Sequence, residues 1–371
     1  SASFLAYEFE PGVEDVIMTD KDEVTGKEHG YTQEISQHKC APTLKFPKCT
    51  PNALAAFSAL VLGSITSTKD GAYTGYRHKI VRVPDGTATP SLAIVHKIGG
   101  IQTQYKGLKG NTLKLSGEEG GMLSMECGMV GSGTRTTDSQ TFVPAITESW
   151  IKNSHGIAWL ETDANIGIQE VLTLDVAPVP AQWDIGDTIT GGTSTTTCTV
   201  VSVASTTVYV VKNLTGNWTA GGETLTDGTN SRACASGYPK MTRLAATDYI
   251  SLATSDDIRA RVKSFEFTWD NKNEDQFGFG NTDLVKLDTH YGRRSADLKV
   301  TLRFSSTTEL TYFTSQSICA LQLDWKGALV DPSGVMYYGA KLIISRAIMK
   351  TNPAPKGGVN DTLTQDFEFN I

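Results

Sequence analysis

The sequence predicts a mainly β protein with a flanking helix and a small inserted all-β module. Three observations predict it. The first is a pair of alternating stretches. In Arg261-Val-Lys-Ser-Phe-Glu-Phe-Thr-Trp269, Val262, Phe265, Phe267 and Trp269 fall mostly on one face. In Asp297-Leu-Lys-Val-Thr-Leu-Arg-Phe304, Leu298, Val300, Leu302 and Phe304 alternate with polar residues. Period-two alternation bounded by Gly and Asn marks a half-buried strand. The second is a single apolar helix around residues 53–62. The third is a Thr- and Gly-rich stretch, 183–230, that repeats within itself. A sheet with one apolar face must be covered on that side, and much of the remaining chain suits that task.

Composition bounds the rest. At 371 residues the chain holds two to three domains by the prior of roughly 150 residues each. Charged residues make up 20% and apolar ones 39%, an ordinary globular balance. A formal charge of −7 argues against a protein whose main task is gripping nucleic acid, because that needs a basic face. The six Cys are scattered without a C-x-x-C pair, so they are expected to be reduced thiols of a cytosolic product rather than a disulfide scaffold. The first residues, Ser-Ala-Ser-Phe4, show no basic and then apolar run, so no signal peptide is expected. No apolar run reaches the ~18 residues that span a bilayer.

Residues 1–49 are polar and irregular and are read as an extended arm, with weak strand character at Phe4–Phe9. His38, Cys40 and Cys49 lie close in sequence, but their spacing fits no zinc pattern. Thr50 then offers an N-cap, Pro51 the first helical position, and Gly63 a stop, around the apolar run Ala53–Leu62. Leu54, Phe57 and Val61 form one stripe of this helix, and it is expected to cover a sheet. Lys79–Val83 and Ser91–Val95 are strands split by the turn Pro84-Asp-Gly86. The glycines of 107–128 belong to hairpins, since no phosphate-loop motif is present and their surroundings are β. Tyr105–Leu115 faintly echoes Tyr291–Val300, which suggests two related β units. In the insert, Gly186-Asp-Thr-Ile-Thr190 returns 36 residues later as Gly222-Glu-Thr-Leu-Thr226, each copy preceded by a Trp, Trp183 or Trp218. Beyond Phe304, Leu310–Ser317 is a helix or an edge-crossing loop. Ala320–Trp325, Val335–Ile344 and Leu363–Phe369 are strands. The expected organisation is an arm at 1–49, a β unit with one helix at 50–181, the inserted module at 182–236 and a second β unit at 237–371. The Gly-, Ser- and Thr-rich stretch 128–148 buries too little apolar area to order alone. With 1–49 it is expected to order only against neighbouring subunits.

No catalytic, cofactor-binding or metal-ligating residues emerge. Neither G-x-S-x-G nor H-E-x-x-H occurs, no Cys–His pairing stands out, and the six His are isolated from one another. Asp270, Glu274 and Asp275 offer paired carboxylates of the kind that cleave glycosides, but they share a turn with Asn271, Lys272 and Asn273, where acidic residues serve the backbone. The alternatives are a β-rich adhesion or carbohydrate-binding protein, suggested by the insert and by Trp218 and Tyr238, and a hydrolase within a β fold.

Taken together, these features resemble the major tail tube proteins of long-tailed bacteriophages (siphophages). The features are the helix ending in Leu62-Gly63, the pattern Tyr105-Lys-Gly-Leu-Lys-Gly-Asn-Thr-Leu-Lys-Leu-Ser-Gly-Glu118 running into Gly128, and Phe265-Glu-Phe-Thr-Trp-Asp-Asn271. Gly292-Arg293, the strand to Phe304 and the closing strand Phe367-Glu-Phe369 complete them. The insert is similar to Gly-[Asp/Glu]-Thr modules of phage virion proteins. The resemblance covers 50–371 and implies β-sandwich or barrel units of tail-tube type with a flanking helix. It further implies a non-enzymatic virion protein, without cofactor or membrane, assembled in the host cytoplasm. Its implied partners are further copies of itself, in helically stacked rings around the tape measure protein, with tail terminator and tip proteins beyond and DNA passing through the lumen. Six β units commonly surround such a lumen, so two units per chain make a pseudo-sixfold trimer the favoured ring over a hexamer.

Overall fold

The computed structural model describes residues 8–20, 32–69, 75–139, 149–162, 170–184, 186–212, 215–219, 222–243, 258–259, 261–277, 285–304, 308–330, 337–357 and 363–371. The chain is mainly β, as expected. It runs through β1 (Glu8–Glu10), β2 (Val13–Asp20), β3 (Thr32–Cys40), β4 (Thr43–Phe46), α1 (Pro51–Leu62), β5 (Gly63–Lys69), β6 (Tyr76–Arg82), β7 (Ser91–Ile98), β8 (Ile101–Glu118), β9 (Ser124–Val130) and β10 (Arg135–Thr137). There follow β11 (Gly156–Thr162), β12 (Glu170–Thr173), β13 (Thr188–Gly191), β14 (Thr197–Ser205), β15 (Val208–Lys212), β16 (Thr224–Thr226), β17 (Ser231–Ala233) and β18 (Lys240–Arg243). The last are β19 (Val262–Asp270), β20 (Asn273–Gln276), β21 (Asp288–Tyr291), β22 (Ser295–Arg303), α2 (Thr308–Thr314), β23 (Ile318–Leu329), β24 (Tyr337–Met349) and β25 (Thr364–Asn370). Backbone packing divides the chain into two compact units. One comprises 1–156, 263–302 and 325–340, and the other 157–262, 303–324 and 341–371.

In the first unit, β1, β4, β9, β8, β19 and β22 are successive neighbours. The eighteen residues of β8 serve both halves of this sheet. Its early part pairs with β7 and its late part with β19, through Thr112↔Asp270 to Glu118↔Ser264. Alternation puts Leu113 and Leu115, Met125 and Cys127, Phe265 and Phe267, and Leu298 and Val300 in the core. Helix α1 packs on β8 and is capped as its sequence predicts. Thr50 Oγ1 accepts from the Ala53 N–H at 3.3 Å, Pro51 opens the helix, and Gly63 closes it with φ 94°. Gly110 lets helix and strand approach, since a Cβ there would lie 2.6 Å from Val61 Cγ2. Buried Asn271 seals the crossing. Its Nδ2 donates to the carbonyls of Val61 (2.7 Å) and Gly110 (2.9 Å), and its Oδ1 accepts from the Trp269 indole (2.9 Å). One carbonyl that the helix end leaves open is thereby satisfied.

The stretch expected to be an arm contributes to this sheet. Within 1–49, β4 lies between β1 and β9, with Leu44 and Phe46 buried. Only β2 and β3 stand as a separate two-stranded sheet. Residues 1–7, most of the weak strand read at Phe4–Phe9, lie outside the described residues, as do 140–148 of the Gly- and Thr-rich stretch. The earlier part of that stretch is tied down within the chain, by the Gly131 N–H to the Cys40 carbonyl (2.7 Å) and by β10 on β8. Long-range bonds within the chain, which no sequence pattern reveals, supply what its composition lacks.

In the second unit, β25, β24, β23 and β11 are successive neighbours, and Leu321, Leu323, Ile344, Phe367 and Phe369 fill their core. The ambiguous segment after Phe304 forms the short helix α2, whose buried Glu309 meets Arg261 at 2.5 Å. The same unit holds a seven-stranded sheet, ordered β17–β16–β13–β14–β15–β12–β18. Its core packs Leu172, Trp183, Ile189, Tyr209, Val211 and Leu225 among others. The sequence repeat falls on β13 and β16, which pair through Thr190↔Thr226. Ile189 and Leu225 take matching buried places, and Gly186 and Gly222 both have positive φ, at 99° and 95°. The sheet also takes in β12 and β18, which lie beyond 182–236.

The order of elements repeats. The series β1, hairpin β2–β3, β4, α1, β7, β8, β9 recurs as β19, hairpin β20–β21, β22, α2, β23, β24, β25. In the first series the sheet order is β1–β4–β9–β8–β7. In the second, β19 neighbours β22, and β25 neighbours β24, which neighbours β23. The N–H of Phe304, just after β22, donates to the carbonyl of Leu363, just before β25, at 2.9 Å. Thr43-Leu-Lys-Phe46 of β4 corresponds to Asp297-Leu-Lys-Val300 of β22, with Leu44 and Leu298, then Phe46 and Val300, buried in turn. The echo between Tyr105–Leu115 and Tyr291–Val300 is a different alignment. It matches β8 to the end of β21 and β22, which hold different places in the two series.

Candidate assembly surfaces

The residues singled out for chemistry are occupied with structure. His38 Nδ1 lies 2.7 Å from Asp15 Oδ1, which also meets Arg135 at 3.0 Å. Cys40 and Cys49 are buried, and among the described residues no group of three or more His, Cys, Asp or Glu is placed to hold a metal ion. All six Cys are buried and none is in a disulfide. Burial pushes Cys127 and Cys198 up to about 12, so they stay protonated and inert at neutral pH. The three carboxylates of the 270–275 turn do not converge. Asp270 accepts from the Lys272 N–H at 2.8 Å and pairs with its ammonium, while Asp275 pairs with Lys286 at 3.0 Å. The aromatic residues behind the carbohydrate-binding alternative do not form a platform. Trp218 is buried in the module core, and Tyr238 packs against that core beneath Lys240.

Surfaces of another kind stand out. Three β hairpins carry exposed apolar side chains. At the tip of β7–β8, Gly99-Gly100 makes the turn between Ile98 and Ile101, which are 66% and 71% exposed. Hairpin β5–β6 is a two-stranded sheet on its own, with Ile65 and Tyr76 exposed. Hairpin β2–β3 is another, with Ile35 exposed. Isolated two-stranded hairpins are marginal in water. Their unpaired edges are templates for a second chain. The outer strand β1 is instead short and charged, with Lys45 held between Glu8 (3.2 Å) and Glu10 (3.0 Å), a usual way to blunt an edge. Sequence reasoning missed hairpin β2–β3, because polar and apolar residues mix along its strands, VEDVIMTD and TQEISQHKC, without a clear alternation.

No described helix is long and apolar enough to cross a membrane. No curated protein sequence matches the chain. The sequence profile of the phage tail tube protein family matches residues 50–371, which takes in α1, both series after β4, and the module. A mainly β subunit with exposed hairpin edges fits a part that polymerises. The chain belongs to the phage tail tube protein family, a structural component of the virion tail that self-assembles into a tube.

Proposed function

We propose that three copies of this chain close into a pseudo-sixfold ring and that rings stack helically into the tail tube of a siphophage. The repeated element series carries this reading, because each chain then supplies two β units to a six-unit circle. The tube encloses the tape measure protein and later conducts DNA, with tail terminator and tip proteins meeting its ends, and assembly takes place in the host cytoplasm. The chain's part in this is structural and not catalytic, and needs no cofactor.

Physical grounds support each step. A head-to-tail contact that closes by rotation gives a ring, and one that also rises gives a filament. Exposed hairpin edges supply N–H and C=O groups that pair between subunits. A net charge of −7 suits a conduit, since phosphate affinity comes from clustered Lys and Arg. Electron microscopy of the purified protein tests the reading. Uniform rings or tubes are expected without added cofactor, and a stable monomer at high protein concentration across a range of salt overturns it.

A further inference from the structure

We infer that residues 131–137 form a strut that fixes where hairpin β2–β3 projects, and that Arg135 positions that hairpin for contact with a neighbouring copy. The assembly role rests on the tube reading. Among the described residues, β2 and β3 pair only with each other, and two short hinges join them to the sheet. Pro11-Gly12 links β2 to β1, and Ala41-Pro42 links β3 to β4. The hinges run close together, with the Ala41 N–H donating to the Gly12 carbonyl at 2.9 Å. Two hinges of two residues each would, by themselves, let the hairpin swing.

The strut removes that freedom. Its far end is β10, whose Arg135, Thr136 and Thr137 pair with Tyr105, Gln104 and Thr103 of β8. Lys106 adds two bonds, accepting from the Ser132 N–H at 3.2 Å and donating to the Thr134 carbonyl at 3.3 Å. From this base the strut grips the hairpin at three points. The Gly131 N–H donates to the Cys40 carbonyl at 2.7 Å. Gly133, at φ 83°, lies so close to His38 that a Cβ would stand 2.3 Å from its carbonyl oxygen. Arg135 Nη2 donates to both carboxylate oxygens of Asp15, at 3.0 and 3.3 Å. Asp15 and His38 are register partners, with His38 Nδ1 2.7 Å from Asp15 Oδ1. One carboxylate thus ties both strands of the hairpin to the strut. Hairpin β20–β21 of the second series rests on the same strut. Just before β21, the Lys286 N–H donates to the Ser132 carbonyl at 3.1 Å, and its ammonium pairs with Asp275 of β20.

Direction matters because of leverage. The eight residues of β2 reach about 26 Å at roughly 3.3 Å per residue. A swing of about 10° would move the far end by about 4–5 Å, close to one strand spacing. Strand edges pair only in register, so a swinging hairpin offers its edge in the wrong place. A hairpin set beforehand also spares association the cost of ordering it. Arg135 and Asp15 are 35% and 32% exposed, and pairs so exposed add little to folding stability. The pair's part is to set direction.

Arg135→Ala separates that part from general stabilisation. Its melting temperature should stay within about 2 °C of the parent's. Hydrogen exchange of the 13–16 and 37–40 amides in the free subunit, and the critical concentration for assembly by sedimentation, should each rise about three- to fivefold. Arg135→Lys should return both to within about twofold of the parent, because a single nitrogen makes both bonds to Asp15. Gly133→Ala should match Arg135→Ala with every charge left in place, since its methyl group displaces the strut from His38. Exchange that stays unchanged in Arg135→Ala overturns the strut, whatever assembly does. Faster exchange with assembly at the parental concentration overturns the role of Arg135 in assembly. A fall in melting temperature that Arg135→Lys does not restore assigns Arg135 to general stability and overturns the positioning role. A parent protein that never assembles overturns the tube reading and the assembly role with it, while exchange in the free subunit still decides the strut.

Discussion

Glu223 is 2% exposed, yet its carboxylate accepts three backbone N–H bonds, from Thr193 (3.1 Å), Ser194 (2.6 Å) and Thr219 (2.8 Å). Burial alone would raise its pKa, but the donors at Ser194, Thr219 and Thr193 outweigh burial and hold it below 4.5. Asp175 is held at about 2, first by the two-pronged bond from Arg232 at 3.0 and 2.6 Å. A carboxyl whose folded pKa is depressed adds stability above its unfolded pKa and loses it as pH falls through the folded one. The seven-stranded sheet is therefore expected to lose stability as pH falls from 4.5, the unfolded value for Glu223, towards 2, that for folded Asp175. Thermal melts followed by near-UV circular dichroism of Trp183 and Trp218 check this. Glu223→Gln should cost about 1–3 kcal/mol at neutral pH, because it disturbs buried donors, and should flatten the upper part of the acid profile. A melting temperature that stays constant from pH 6 to pH 2 refutes the account. Sequence alone shows the repeated Gly-[Asp/Glu]-Thr but not what the carboxylate does, since its partners in the 193–194 turn lie about thirty residues away. The same holds for Asn271, whose acceptors at Val61 and Gly110 are 210 and 161 residues distant. Thr50, Pro51 and Gly63 were legible because capping is local.

Elements that alternate or cap locally were legible, and elements held by distant pairing were not. Strands β19 and β22 declared themselves through Phe265, Phe267, Leu298 and Val300, and α1 through its caps. Strand β4 did not, because four residues, Thr43–Phe46, between polar segments are too few to show a period, although β1 and β9 flank them on the sheet. Helix α2 was ambiguous for a similar reason, its seven residues needing Arg261 to anchor Glu309. The inserted module was legible as a repeat, but its sheet extends to β12 and β18, whose pairing is long-range. That pairing suggests how to remove the module. Thr173 and Lys240 are register partners at the ends of β12 and β18. Replacing 174–239 by Asn-Gly would join them through a two-residue turn suited to antiparallel strands, with Leu172 and Met241 changed to Thr because the module core no longer covers them. We expect the shortened protein to stay folded and to form rings or tubes of the same repeat seen by electron microscopy. Loss of all soluble folded protein would show instead that the module supports the rest of the fold.

At the scale of the whole molecule, the decisive quantity is the number of chains in a ring. Two series in one chain share strand order, hairpin, helix and sheet neighbours from β1 to β9 and from β19 to β25. Shared topology over so many elements is a better sign of internal duplication than the few residues matched between Tyr105–Leu115 and Tyr291–Val300. The two series are not equivalent everywhere. Hairpin β5–β6 occurs once and the module once, so a ring built from three chains repeats its sheets six times but these features three times. A ring of six chains would instead carry twelve series and six modules. Closed rotational symmetry requires an integral number of identical contacts, and the chain mass of 40.0 kDa separates the cases widely. Native mass spectrometry of a ring released from the tube should give three chains, about 120 kDa by tripling that mass. Class averages down the tube axis should then show sixfold density near the lumen with threefold projections wherever the module sits. A ring of six chains, or sixfold projections, refutes the proposal that the duplicated series supplies alternate positions of the circle.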